Sequence, residues 1–417
     1  MSAPGKATAN TGSARRPDRT VALTGATGFL GSHLLIRLLE RDCHVVALGR
    51  RDEHAAARSL TLALRSAGAG ESTLARIPGQ VTPVRVDFGR PRLGLPESRY
   101  HQLADAVSAV WHCAALTTLN GDPDALHLAN VEGTRRVLAW AESGARRPHL
   151  HHISTAFVAG RWSHGVVPEE RLPADGGFVT PYEESKHRAE ELVHAWAADG
   201  GRSATVYRPS VLLSARRALP RAPRHTYAVL AAKMTLLTRQ LAVAAPGGAS
   251  REAGAPIDVR LLGDPDATVN LLAVQDAVAS MLCLADRATR RPGVAVHHIV
   301  HPHDTPVSLV NAAIERTIPG LRLSLVTERN DPTDLERGLD AYGVDATAYL
   351  GLRRTYARAA PADLERRRIT EPPRAIDSTY LDAALAPPTH VSRIPHPPHA
   401  PHAPNGQAAP TLRGQQA

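Results

Sequence analysis

The stretch Thr24-Gly25-Ala26-Thr27-Gly28-Phe29-Leu30-Gly31 constrains this chain more than any other. It follows a short apolar run, Val21-Ala22-Leu23, which reads as a buried strand. It precedes Ser32-His33-Leu34-Leu35-Ile36-Arg37-Leu38-Leu39-Glu40, whose apolar residues recur at helical spacing. Glycines on a strand-to-helix turn are the context of a dinucleotide fingerprint. Gly25 permits the tight turn and Gly28 lets backbone approach a pyrophosphate. Gly31 lets the helix pack close to the strand, with phosphates at the positive helix N-terminus. Thr24, Thr27, Phe29 and Leu30 share that loop and join the three glycines as expected cofactor contacts. Glycine is ordinary in abundance, 31 of 417 residues, so the flanking strand and helix carry the inference. The implied fold class is α/β, a Rossmann-type doubly wound parallel sheet.

The second strand, His44 to Leu48, ends in Gly49-Arg50-Arg51. In a Rossmann unit an acid here binds the ribose 2′-hydroxyl of NAD, whereas an Arg accommodates the 2′-phosphate of NADP. Gly49 stands where the acid would be, so Arg50 and Arg51 predict NADPH over NADH. Two solvated arginines at a strand end are the alternative. Asp52, a competing acid, lies past them. A helix is expected over Ala55 to Ala67, a third strand over Val84 to Phe88 and a helix over Tyr100 to Ala106. A fourth strand, Val107 to His112, leads to Cys113-Ala114-Ala115, whose small side chains would let backbone run beside a cofactor. His112, ending a buried strand, is expected to be hydrogen-bonded core rather than catalytic.

A helix is predicted over Leu126 to Ser143, with Asn130 in its first half. The fifth strand, His149 to Ile153, ends at Ser154-Thr155. Its three histidines alternate between faces, which is poor ligand geometry, and no metal site is expected. The next helix opens at Pro181-Tyr182-Glu183-Glu184-Ser185-Lys186 and runs to about Ala198. Tyr182 and Lys186 are four apart and share one face. A phenol titrates at about 10. An adjacent ammonium and a positive nicotinamide favour phenolate and bring Tyr into range for proton transfer. Chance placement is improbable, because the chain has only three lysines, Lys6, Lys186 and Lys233. Thr155, at the carboxyl edge of the sheet, is a candidate to bind a substrate carbonyl oxygen. Ser154 competes, since alternation sends one of the two inward.

A sixth strand, Thr205 to Tyr207, precedes Arg208-Pro209-Ser210, and Pro209 and Ser210 count as cofactor contacts. Residues 211–262 carry scattered Pro and Gly and one apolar helix near Tyr227 to Val243. Val269 to Asp276 returns to the core, with a helix to about Ala285. Late elements are a strand over Val294 to Val300, a helix over Ser308 to Arg316 and a strand over Leu321 to Val326. Helical segments follow over Asp334 to Tyr342 and Asp363 to Arg368. The expected organisation is a disordered arm (1–18), one large α/β domain (19–386) and a disordered Pro/His/Ala tail (387–417) that includes His396, His399 and His402. Within the domain, 19–210 and 263–300 form the cofactor core, and 211–262 and 301–386 form a substrate-side subdomain.

Composition removes several function classes. No apolar run approaches roughly 18 residues, so no membrane span is expected. Met1 to Thr20 lacks an apolar signal segment. Cys43, Cys113 and Cys283 have no metal-type spacing and fit a reducing cytoplasm. The net charge of +9 comes almost entirely from Arg, and aromatics are 4% of the chain. Without Lys/Arg blocks interleaved with aromatics, nucleic-acid binding is not expected. The positive field favours anionic ligands such as phosphorylated cofactors, coenzyme A or an acidic carrier protein.

The G-x-x-G-x-x-G turn with Tyr182-x-x-x-Lys186 resembles the extended short-chain dehydrogenase/reductase superfamily over roughly residues 20–300. More narrowly, Leu48-Gly49-Arg50-Arg51, His112-Cys113-Ala114-Ala115, Ile153-Ser154-Thr155-Ala156-Phe157-Val158-Ala159-Gly160, Tyr182-Glu183-Glu184-Ser185-Lys186 and Val269-Asn270-Leu271-Leu272-Ala273-Val274-Gln275-Asp276 look like the thioester reductase and fatty acyl-CoA reductase group. Gln275 departs from the group's usual Val-Asp. The resemblance implies Thr155 rather than Ser154 as the catalytic hydroxyl, Asp87 beside the adenine with Phe88, and Asn130 anchoring a water that links Lys186 to solvent; spacing alone equally allows Asp87 to be a turn residue ending the strand. It also implies NADPH-dependent reduction of an acyl thioester, on coenzyme A or on a carrier protein supplied in trans. Alternatives on the same fold are a nucleotide-sugar epimerase or dehydratase and a ketone or alcohol dehydrogenase. Ala156-Phe157, where a sugar 4,6-dehydratase carries Asp-Glu, counts against the dehydratase. A non-catalytic NADPH-binding regulator is the alternative of another class, and the retained Tyr and Lys count against it.

Overall fold

In the computed structural model the described residues are 20–243, 256–289, 291–341 and 349–386. The expected arm (1–18) and tail (387–417) lie outside the described residues. Five strands come first: β1 (Thr20–Thr24), β2 (His44–Gly49), β3 (Val81–Arg85), β4 (Ala109–His112) and β5 (His149–Ile153). With Ser203–Pro209 and Gly293–Ile299 they build a seven-stranded sheet. Its order is Gly293–Ile299, Ser203–Pro209, β5, β4, β1, β2, β3, and every pairing is parallel. β1 therefore lies between β2 and β4, where the winding direction reverses. The carboxyl ends of strands at such a reversal are where ligands bind in open α/β sheets.

Parallel sheets are buried on both faces, which is why β1 is buried along its whole length. One face packs Leu23, Val45, Trp111, Ile153 and Tyr207 under α1 (Phe29–Glu40) and helix Val274–Arg287. The other packs Val46, Val110, Leu150 and Val206 under helices Glu97–Ala106, Gly133–Glu142 and Pro181–Asp199. A separate apolar cluster joins Tyr227, Met234, Val259, Ile314, Leu321 and Leu381.

Several boundaries differ from the sequence expectation. β3 ends at Arg85, so Asp87 and Phe88 lie beyond it. The Asp87 carboxylate accepts from the Gly89 N–H at 2.9 Å, a local bond that draws the chain out of the strand. The helix expected from Leu126 is a composite of Pro123–Leu126, a π-helical turn His127–Glu132 and Gly133–Glu142. Strand Ile257–Leu262, within the segment expected to be irregular, pairs in parallel with Leu321–Val326. The pairs His164–Val167 with Arg353–Tyr356 and Val211–Leu213 with Leu271–Ala273 were also not anticipated, nor was helix Ser378–Leu385. Strands of three to six residues depend on distant partners for their hydrogen bonds, so local pattern reveals them poorly.

Candidate active site

The glycine turn closes on itself. The Gly28 N–H donates to the Gly25 carbonyl at 2.8 Å, and the Ser32 N–H donates to the Gly28 carbonyl at 3.0 Å. α1 thus starts at Phe29, three residues earlier than expected, and the N–H groups of Phe29, Leu30 and Gly31 form its first turn. No side chain caps that end and no acid occupies its first turn. Such N–H groups have no partner within the helix and suit an anion. Gly25 has φ of +72°, and a Cβ there would come within 2.8 Å of the Ala114 nitrogen. Thr24 and Ala26 flank this turn and are buried, whereas Thr27 is exposed.

Arg50 and Arg51 follow β2 at the sheet's carboxyl edge, and both are exposed. Asp52 is taken up elsewhere: it caps helix Glu53–Ala67, accepting from the Ala55 N–H at 2.9 Å. That bond holds its carboxyl below the ordinary range. Asp87 lies 3.4 Å from Arg90, with its carboxylate exposed, and Phe88 packs on the core.

A buried hydrogen-bond chain ties the turn after β4 to the glycine loop. The Ala114 N–H donates to Thr24 Oγ1 at 2.9 Å, and Thr24 Oγ1 meets His112 Nδ1 at 2.8 Å. His112 Nε2 meets Thr134 Oγ1 at 3.0 Å, and Thr134 donates to the Asn130 carbonyl at 2.6 Å. Because Thr134 spends its proton on that carbonyl, the chain assigns the proton of His112 to Nε2 and makes Nδ1 an acceptor. Burial, aided by Lys186, holds His112 down at about 3, so it stays neutral. It is a structural bridge. Burial raises the neighbouring Cys113 thiol to about 12, which leaves it a poor nucleophile.

Asn130 lies in the π turn and is buried. Its Oδ1 accepts from the Leu116 N–H at 2.7 Å, and its Nδ2 donates to the Leu116 carbonyl and to Ser185 Oγ, both at 2.9 Å. The whole amide therefore clamps the loop after β4 to the helix that carries Tyr182 and Lys186. The Tyr182 N–H donates to the Leu119 carbonyl at 3.2 Å and strengthens the same junction.

Thr155, Tyr182 and Lys186 converge at the end of β5, all buried. Thr155 Oγ1 accepts from the Phe157 N–H at 3.3 Å, and its side chain is hydrogen-bonded to the Tyr182 phenol. Burial pushes the Tyr182 phenol above its ordinary value, and the adjacent Thr155 side chain opposes this in part. The expected depression by the ammonium is therefore reversed: Lys186 directs Nζ to the Ile153 carbonyl at 2.7 Å, and burial dominates at the phenol. Burial also lowers Lys186, to about 8, against the raising influence of Glu190 and Cys113. Ser154 Oγ and Ser210 Oγ are buried at the same edge without a hydrogen-bond partner among the described residues. Pro209 ends its strand beside them.

The helix bearing the pair begins with a capping box: Thr180 accepts from the Glu183 N–H, and Glu183 accepts from the Val179 and Thr180 N–H groups. The Thr-x-x-Glu spacing carries that signal in the sequence. Two of the fifth-strand histidines are committed to core contacts, whereas both ring nitrogens of the buried His152 lack a hydrogen-bond partner among the described residues. His149 meets Ser203 Oγ and Thr205 Oγ1 at 3.0 and 2.9 Å, and His151 stacks on Trp111 at 4.0 Å. Sequence reading missed a buried ion pair, Arg208 with Glu190, closed by bonds of 2.7, 3.1 and 3.3 Å. Glu190 falls one turn past Lys186, a spacing that could have flagged it.

The profile of the family described as male sterility protein, an NAD-binding family, matches residues 23–258, more than half of the chain. An isonitrile lipopeptide synthase of Streptomyces coeruleorubidus is 38% identical over 197 residues, 46% of this chain and 13% of that protein. A carboxylic acid reductase of Mycobacterium tuberculosis is 30% identical over 216 residues, 47% of this chain and 18% of that protein. The chain therefore spans less than a fifth of the length of either relative. The terminal R domain of the myxalamid PKS-NRPS pathway shares the fold at TM-score 0.66 and 23% identity, covering 88% of this chain and 89% of that one. A UDP-glucuronic acid 4-epimerase from Bacillus cereus, solved with NAD, shares it at TM-score 0.57 and 17% identity, covering 88% and 95%. No helix among the described residues is long and apolar enough to cross a membrane. With a reversal-point glycine turn and a profile match over most of the cofactor core, the chain belongs to the NAD-binding male sterility protein family and is an NAD(P)-dependent oxidoreductase of the extended short-chain dehydrogenase/reductase type.

Proposed function

We propose that this chain reduces an acyl thioester, presented by a carrier protein in trans or by coenzyme A, at the expense of NADPH. The observation that carries the reading is the buried gathering of Thr155, Tyr182 and Lys186 at the carboxyl end of β5. The peptide-synthase and carboxylic acid reductase relatives supply the substrate class. The residues fit a nicotinamide dinucleotide: the close approach of Gly25 to Ala114 leaves room for backbone alone, and no side chain caps the first N–H groups of α1, which suit a pyrophosphate. Arg50 and Arg51 would hold a 2′-phosphate.

When bound, the reduced nicotinamide supplies a hydride to the carbonyl carbon. The chain's own part is electrostatic and protonic. Tyr182 is kept protonated by burial and donates its O–H to the developing oxyanion. Thr155, whose oxygen accepts from Phe157 and whose side chain bonds the Tyr182 phenol, donates a second bond. The Lys186 ammonium, fixed on the Ile153 carbonyl, favours negative charge beside it. Addition to a thioester gives a hemithioacetal, whose collapse expels the thiol and leaves an aldehyde, open to a second reduction.

The test is NADPH oxidation by the purified protein with acyl-CoA and acyl-pantetheine thioesters, acyl carrier proteins, aldehydes and ketones, with Tyr182→Phe as control. Thioester turnover to aldehyde or alcohol, absent in the variant, is the expected result. Turnover of ketones alone would assign a dehydrogenase instead. Cofactor binding without turnover of any of these would assign a non-catalytic protein.

A further inference from the structure

Four adjacent strands end in titratable side chains on one face of the sheet. His112 of β4 is in register with His152 of β5, and Arg208 is in register with His298. His152 is in register with Val206, so alternation puts Arg208 on the same face one pleat further along. All four are buried; His112 meets Thr134 of helix Gly133–Glu142, and helix Pro181–Asp199, packed on the same face, contributes Lys186 and, one turn on, Glu190.

The charges in this row are unequal. His112 and His152 are held neutral by burial, with Lys186 adding to the effect. Burial likewise holds His298 down, to about 4, and its Nδ1 bonds the Ala357 carbonyl at 2.9 Å. Glu169 is occupied by the main-chain N–H groups of His298 and Ala359 at the far end of the row. Cys113 and Tyr182 are held protonated by burial. His194, one turn past Glu190, is held down by burial, with Glu190 and Glu191 opposing and Arg171 and Arg208 adding to the effect. Lys186, Arg208 and Glu190 remain as the charges of this row. Glu190 is bound in a two-pronged pair by Arg208 and lies a helical turn from Lys186, whose ammonium bonds the Ile153 carbonyl, so it acts on Lys186 through its field.

We propose that Glu190 is a positioning residue that keeps the Lys186 ammonium charged behind Tyr182, and that Arg208, by claiming the same carboxylate, limits how firmly it does so. An uncompensated buried ammonium would lose its proton at neutral pH and could not restore a spent phenol, whose hold on a proton burial raises above that of the ammonium. Burial sets Lys186 near 8 with Glu190 as the leading opposing influence, consistent with that balance. The catalytic consequence rests on the proposed Tyr/Lys chemistry, whereas the charge coupling does not.

The experiment reads Lys186 directly, without substrate. The chain has three lysines, so 13Cε-lysine labelling gives a simple NMR spectrum, and Lys186→Arg assigns the signal. Glu190→Gln is expected to lower the Lys186 titration midpoint by about one pH unit, and Arg208→Met to raise it by a similar amount. The double variant, which removes one charge of each sign and leaves the net charge of the row unchanged, is expected to return to within about 0.3 unit of wild type. Opposite shifts are the signature, because a purely structural role would move both single variants the same way or neither. Unmoved midpoints, or shifts of the same sign, overturn the proposal. Where one single variant lacks a cooperative thermal transition, the sign of the other decides. Where both do, a double-variant midpoint displaced by a full unit overturns it, and one near wild type upholds it. In turnover assays the alkaline limb of the pH profile follows the same shifts. Turnover that is absent throughout would count against the proposed function and leave the NMR result intact.

Discussion

The carbonyl oxygen of Gly25 lies where a Cβ on residue 31 would come within 2.1 Å of it. Backbone meets backbone there, so no rotamer change can relieve the contact. Gly31→Ala is therefore expected to push α1 off β1. Overpacking of this kind costs about 1–3 kcal/mol. A lower melting temperature together with weakened NADPH binding, followed by fluorescence titration, would bear this out. Unchanged affinity would show that the helix end is not the pyrophosphate site.

Arg50 and Arg51 are exposed and Asp52 is occupied as a helix cap, so the arginines are the polar groups free to meet a 2′-phosphate. Arg50→Ala and Arg51→Ala are each expected to weaken NADPH binding about tenfold, roughly one charge-assisted hydrogen bond, with NADH binding unchanged. Asp52→Ala is expected to cost about 1 kcal/mol of stability through the lost cap and to leave the NADPH preference alone. Equal losses for both cofactors in the Arg variants would refute the assignment.

Lys186 titrates near 8 in the fold against 10.5 in a free side chain. Its proton is lost as pH rises through about 8, so turnover is expected to fall above that pH. The stability linkage has the opposite slope. Between about 8 and 10.5 the unfolded chain binds more protons than the folded one, so stability rises with pH across that window. Below about 8 both states are protonated and the cost of burying the ammonium is fully present. Lys186→Met should abolish turnover while raising the melting temperature at pH 7. That gain should shrink as pH climbs from about 8 towards 10.5. Melting curves at several pH values decide it, and a gain that grows with pH would contradict the burial account.

Asn130 uses its whole side-chain amide to hold Leu116 and Ser185. Asn130→Ala leaves both main-chain groups of Leu116 without that partner, at a cost of about 2 kcal/mol. The loop after β4 would loosen against the Tyr182 helix. Turnover is expected to fall while NADPH affinity changes little, which stopped-flow kinetics and equilibrium titration can separate. Preserved turnover would mean that the clamp is dispensable to the geometry of Tyr182 and Lys186.

The local sequence determined the glycine turn, the Tyr182–Lys186 helix with its capping box and the runs of buried parallel strand. Each of these is encoded within a dozen residues, by turn chemistry, helical spacing or apolar patterning. Tertiary structure alone decided that Asn130 clamps Leu116, that Glu190 joins Arg208 across 18 residues, and that Ile257–Leu262 pairs with Leu321–Val326. It also decided the state of the Tyr182 phenol. Spacing placed an ammonium one turn away, but the burial that outweighs it comes from strands and helices distant in the chain. Register between strands and desolvation of a side chain are properties of the packed sheet, and no short stretch of sequence carries them.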